Sequence, residues 1–124
     1  MIEEDYLLRM IHQMIRAIFK ILFHYDTDVE ETINFSDEKS EGKYRDWIAM
    51  AREGKINSAE NFLYESLDLD NVEDLKAALM FYDYLSGLDE DFLQQANFSR
   101  EEIRDGITHV LSLYGYEGFS EMFE

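Results

Sequence analysis

Residues 6–25, YLLRMIHQMIRAIFKILFHY, decide how the rest of the chain is read. Fourteen of these twenty residues are apolar. Turned through about 100° per residue, they set Arg9, Gln13, Arg16 and Lys20 on one narrow polar stripe, with apolar groups over most of the remaining circumference. A surface helix ordinarily shows an apolar face little wider than about 100°. This one is therefore expected to be the centre of the molecule, covered by its own chain, by a second copy, or by both. Glu3, Glu4 and Asp5 precede it, where carboxylates favour the positive end of a helix dipole, and the periodicity predicts a helix over about 3–25.

The same three bases interrupt the apolar run too often for a membrane span, and the acidic opening MIEED lacks the basic start of a secretory signal. Zero cysteines exclude a disulfide framework, thiolate chemistry and Cys-ligated metals, and fit a reducing, cytoplasmic setting. The balance of 28 acids to 11 bases, a net charge of −17, argues against nucleic acid and anionic membrane as partners. Zero prolines in 124 residues suit helices joined by short turns within one domain, 1–124.

Beyond the first helix, DTDVEETINFSDEKSEG (26–42) is acid-rich with poor helical periodicity and is expected to be a linker. Its acids at 26, 28 and 30 invite comparison with a calcium loop, but Glu31 stands where the sharp-turn glycine belongs and Asp37 where a bidentate Glu belongs. Residues 43–68 predict a helical hairpin. One helix through Trp47, Ile48 and Ala51 stops at Gly54, a residue at ease in left-handed geometry, and a second begins near Asn57. Residues 71–114 predict further helices, opened by Asn71 and by the capping box Ser99-Arg100-Glu101-Glu102 and closed at Ser86-Gly87 and Gly115. Gly106 lies inside the last of these, where a close helix crossing would explain it. Tyr116, Phe119, Met122 and Phe123 make the tail, 116–124, apolar enough to pack onto the domain or a neighbour. The fold class expected is all-α, a helical bundle of five or six helices with no sheet.

The run AREGKINSAENFLYESLDLDN (51–71) resembles the second half of a tetratricopeptide repeat, through Gly54, Ala59, Leu63, Ser66 and Leu69-Asp70. Trp47, Met50 and Asn71 depart from that pattern, and no second copy follows at a period near 34. Together with YLLRMIHQMIRAIFKIL and ANFSREEI, AREGKINSAENFL also resembles a family of short, all-helical proteins of Gram-positive bacteria. That resemblance implies a helical fold with repeat-like hairpins and no known activity.

Catalytic patterns are absent. His12 and His24 lie about 18 Å apart along one helix and cannot share a metal, and His109 neighbours an apolar face. Ser36 and Ser99 are expected as helix caps and Ser66 as a packing residue, with no nucleophile elbow or phosphate loop. No cofactor or metal is expected. The function expected is that of a non-enzymatic helical scaffold or protein-interaction module, self-associating as a homodimer and engaging a protein or peptide. Its partner or dimer surface is placed on Arg9, Met10, Ile11, Met14, Ile15, Arg16, Ile18, Lys20, Leu22 and Trp47. The alternative is an acidic decoy that mimics nucleic acid and binds a basic protein through Glu30, Glu31, Asp37, Glu38, Asp89, Glu90 and Asp91.

Overall fold

The structure, a computed structural model, describes the backbone of residues 2–24 and 35–121 and the side chains of 6–24 and 35–119. All its secondary structure is helical: α1 (Ile2–Phe23), α2 (Glu38–Arg52), α3 (Ile56–Ser66), α4 (Val72–Ser86), α5 (Glu90–Gln95), α6 (Arg100–Leu113) and a single turn, α7 (Gly118–Glu121). The described residues contain no strand, and the chain is an all-α bundle.

Local sequence sets these boundaries. Asp37, Asn71 and Ser99 cap α2, α4 and α6, each accepting a backbone N–H of the first turn. Three helices end on one motif, in which a residue at positive φ sends its N–H back three residues and the next residue sends its own back five. Gly54 does this after α2 (φ 84°), Asn97 after α5 (φ 59°) and Gly115 after α6 (φ 83°). In each case the bonds run to carbonyls of the helix just completed: Gly54 to Ala51, Asn97 to Gln94, Gly115 to Ser112, and Lys55, Phe98 and Tyr116 to Met50, Leu93 and Leu111. The expected cap at Gly54 is present. Two boundaries differ from expectation. Asp37, not Ser36, caps α2, and α2 starts at Glu38, so residues 38–42 are helix and not linker. The acids at 38 and 41 suit that position, because they sit in the first turn at the positive end of the dipole.

The centre is α4, not α1. Ten of the fifteen residues of α4 are buried, including the whole run 74–79, and α1, α2 and α6 all pack on it. By contrast α1 buries one face, Leu7, Ile11, Met14, Ile15, Ile18 and Phe19, an arc of about 140°. That arc exceeds an ordinary helix face because two helices, α4 and α6, lie beneath it. Met10, Leu22 and Phe23 are half-covered at its shoulders, and among the described residues of α1 only Tyr6 and Ile21 remain as exposed large apolar groups.

Directions follow from the pairs in contact. His12 meets Asp83 and Phe23 meets Lys76, so α1 runs antiparallel to α4. Ser86 meets Arg100 and Asn71 meets Tyr114, so α6 is antiparallel to α4 as well. Along α2 the offset is constant at 34 residues: Asp37 to Asn71, Ser40 to Asp74, and Trp47 to Phe81. A fixed offset across ten residues means that α2 and α4 lie side by side and parallel. A 34-residue offset thus relates α2 to α4 in the packing, although the sequence shows no second copy.

The α4–α6 crossing is close at Gly106. A Cβ there would come closer than 3.0 Å to the hydroxyl end of the Tyr82 ring, which explains a glycine that costs helix propensity at about 1 kcal/mol against alanine.

Candidate interaction surface

On α1 the outward stripe is built by helical spacing alone. Arg9, Gln13, Arg16 and Lys20 fall within about 60° of one another and all are exposed. None of the three bases forms an ion pair with a described residue. Six of the other eight bases do: Lys43 with Asp74, Arg45 with Glu41, Lys55 with Glu53, Lys76 with Glu73, Arg100 with Glu90 and Arg104 with Asp105. Residues 6–24 contain these three bases and no acid, leaving 28 acids against eight bases for the remainder. A narrow cationic strip therefore runs along an otherwise acidic molecule. On one edge His12 Nδ1 lies 3.1 Å from Asp83 Oδ1 of α4, with both side chains substantially exposed. Exposed Tyr6 and Ile21 lie toward the other edge, near the two ends of the strip.

Half of the surface expected from sequence is elsewhere. Ile11, Met14, Ile15 and Ile18 are buried under α1 against the chain's own helices, and Trp47 is fully buried with its ring 6.3 Å from that of Phe81. Met10 and Leu22 are half-buried. The five buried residues make the core of one chain and cannot simultaneously cover a second. Arg16 has no carboxylate partner among the described residues.

Two polar clusters escaped the sequence reading, and both hold the fold. In the first, the fully buried carboxylate of Asp74 accepts from Ser40 Oγ at 2.5 Å, Lys43 Nζ at 2.6 Å and the Asp68 N–H at 2.9 Å. Tyr114 completes it, its hydroxyl donating to the Asp68 carbonyl at 2.8 Å. Burial, with Asp74 and Asp68 adding negative charge nearby, pushes the Tyr114 phenol well above its usual pKa. The only sequence signal was an acid three residues past a cap, which a helix dipole already explained. In the second cluster, Tyr82 donates to Glu60 Oε2 at 2.6 Å, and the Tyr64 and Tyr82 hydroxyls are 2.9 Å apart. Burial raises the Glu60 carboxyl above its ordinary pKa and the Tyr82 phenol much further. His109 is exposed and rests edge-on against Tyr64, with ring centres 5.2 Å apart.

Asp74 is consumed by its three donors, and the Tyr82 ring fills the space over Gly106. A shallow depression of about 270 Å³ lies at Gly115, Tyr116, Gly118 and Phe119, with no carboxylate, amine or imidazole among the described residues of its lining. Among the described residues no three His, Asp or Glu side chains converge as a metal site would require, and no helix is long and apolar enough to cross a membrane. The calcium-like spacing at 26–30 lies outside the described residues, and Asp37 at its far end is occupied as a helix cap. Of the acids expected on a decoy surface, Glu30 and Glu31 also lie outside the described residues, and Asp37 and Glu90 are engaged by Asn71 and Arg100.

A family model described as a family of unknown function (DUF6483) matches residues 1–115. No curated protein matches the chain. No solved structure matches it either.

Proposed function

We propose that this chain, which belongs to the DUF6483 family over residues 1–115 of its 124, is a non-enzymatic helical interaction module that docks an acidic protein partner on the outer face of α1. One observation carries the reading: Arg9, Arg16 and Lys20 are exposed and without an ion pair to any described residue, in a chain of net charge −17 that pairs six of its other eight bases. Such a strip steers an acidic partner to one orientation, because every other approach meets like charge. The constant 34-residue offset of α2 and α4 supports the comparison of the Gly54 hairpin with tetratricopeptide repeats, as a rigid scaffold for that strip. A cytoplasmic setting, suited to a chain with zero cysteines, belongs to the same proposal.

Self-association takes a changed form. The isoleucines that would have driven a dimer are in the core, so a second copy would have to bring its acidic body against the α1 bases. The acidic decoy is the second reading, favoured by the exposed carboxylates of Glu38, Asp89 and Asp91. Paired charge variants discriminate: Arg9→Glu with Arg16→Glu, against Asp89→Asn with Asp91→Asn, each used to recover partners from lysate at low and moderate salt. Selective loss of a partner with the arginine variant supports docking on α1. Loss only with the aspartate variant supports the decoy, and partners indifferent to α1 reversal overturn the α1 reading.

A further inference from the structure

We infer that the α1 strip is shaped for an acidic amphipathic helix lying along it, an inference that rests on the reading of α1 as the docking face. Exposed Tyr6, Arg9, Gln13, Arg16 and Lys20 succeed one another at intervals of three, four, three and four residues. That alternation is the seam along which two helices pack side by side, and here it runs for about 21 Å. The opposite face of α1 is already committed to α4 and α6, so the seam is a second, outward one.

Its chemistry specifies the occupant. Arg9 and Arg16 are separated by seven residues and Arg9 and Lys20 by eleven, rises of about 10.5 and 16.5 Å. A helix carrying carboxylates at the same seven- and eleven-residue intervals matches those rises without distortion. Apolar side chains near its two ends would lie over Tyr6 and Ile21. Width matters as much as spacing. Asp83 flanks the strip beside His12, and the remainder of the chain carries 28 acids against eight bases. A broadly acidic surface or a long polyanion would gain three cations but meet repulsion from Asp83 and from the acidic remainder of the chain. An amphipathic helix confines its acids to one line and offers neutral or basic flanks to Asp83.

The test uses the intact protein and a labelled peptide of about three heptads with Glu along one seam, an apolar residue near each end and uncharged flanks. Comparison is with an isomer of the same composition in scrambled order, and with a short DNA duplex, by fluorescence anisotropy at low ionic strength. The patterned peptide should bind at least about ten-fold more tightly than the scrambled one. Arg9→Glu with Arg16→Glu should abolish that difference, and a peptide with Lys in place of Glu should recover binding to this variant, whose circular dichroism should match the parent. Equal binding of the two peptides to the parent, both lost on reversal, overturns the helix while leaving the docking face intact. No peptide binding, with a cellular partner still lost on reversal, also overturns the helix alone. Peptide binding indifferent to reversal overturns both. Tighter binding of the duplex overturns both as well. A dimer of the protein alone that disperses on reversal assigns the strip to a second copy and overturns the inference.

Discussion

The Asn71 side-chain amide donates to the Asp37 carboxylate at 2.8 Å, so the N-caps of α4 and α2 are bonded to each other. Each residue does two things with different atoms. Asn71 Oδ1 accepts the Glu73 N–H at 3.0 Å, and Asp37 Oδ1 accepts the Lys39 N–H at 2.8 Å. The bond from Asn71, followed by that from the Lys39 backbone, holds the Asp37 carboxyl below its usual pKa.

Asn71→Ala should therefore cost more than an isolated cap. Loss of the cap alone is worth about 0.5–2 kcal/mol, and the Asp37 carboxylate loses its partner as well. Urea unfolding should show the midpoint falling, and a double-mutant cycle with Asp37→Ala should return a coupling of the same sign. Additive losses would show that the two caps act independently. The pH dependence has a definite sign. Because its folded pKa is lowered, the contribution of Asp37 is complete above the ordinary carboxyl range and is lost as pH falls through the lowered value.

Gly106 and Gly54 should respond to substitution for opposite reasons. In an unobstructed helix Gly→Ala gains about 1 kcal/mol, but at position 106 the new methyl collides with Tyr82, and overpacking of this kind costs about 1–3 kcal/mol. At Gly54 nothing lies within 4 Å, and the obstacle is the backbone at φ 84°. Gly54→Val should cost at least about 1 kcal/mol, while Gly54→Asn should cost less, since Asn already holds the equivalent position at 97. A higher melting temperature for Gly106→Ala would remove Tyr82 from the crossing. An unchanged one for Gly54→Val would remove Gly54 from its cap.

Glu60→Gln should stabilise the protein at neutral pH. Burial raises the Glu60 carboxyl, so the folded state holds that proton more tightly than the unfolded chain does. Stability from this group is full below the ordinary pKa and declines as pH rises to the raised folded value. The glutamine keeps an acceptor for the Tyr82 hydroxyl and carries no charge to desolvate. Melting temperatures compared across pH 4 to 8, a window set around the ordinary carboxyl range, should show the variant gaining on the parent as pH rises, by no more than about 1 kcal/mol. A variant less stable throughout would mean that the carboxylate is needed.

Helix existence, the caps at Asn71 and Ser99, the terminating glycines and the crossing at Gly106 were legible because each is a local preference of backbone or side chain. The stripe of Arg9, Gln13, Arg16 and Lys20 was legible for the same reason, and its exposure agrees with its polarity. What α1 packs against was not. Ile11, Ile15 and Ile18 look alike whether they face α4 or a second subunit, and the covering helices lie far away in sequence. Asp74 was opaque too, since an acid early in a helix is ordinarily solvated and only the approach of Ser40, Lys43 and the Asp68 N–H makes burial tolerable. The 34-residue offset between α2 and α4 was hidden because contacts such as that of Trp47 with Phe81 come from tertiary packing and leave no local pattern.

The antiparallel seating of α1 on α4 bears on the order in which the molecule assembles. Contacts uniting α2 to α6 span about half the chain or less, whereas His12 and Asp83 stand 71 residues apart. Bringing ends so distant together carries a larger loop-closure entropy, to be offset by apolar contacts on a single face. α1 is thus expected to join after α2, α4 and α6 and to leave before them. Its amides should exchange with solvent through partial openings that leave α4 protected, so the helix carrying the cationic strip has a stability of its own, below that of the body it rests on.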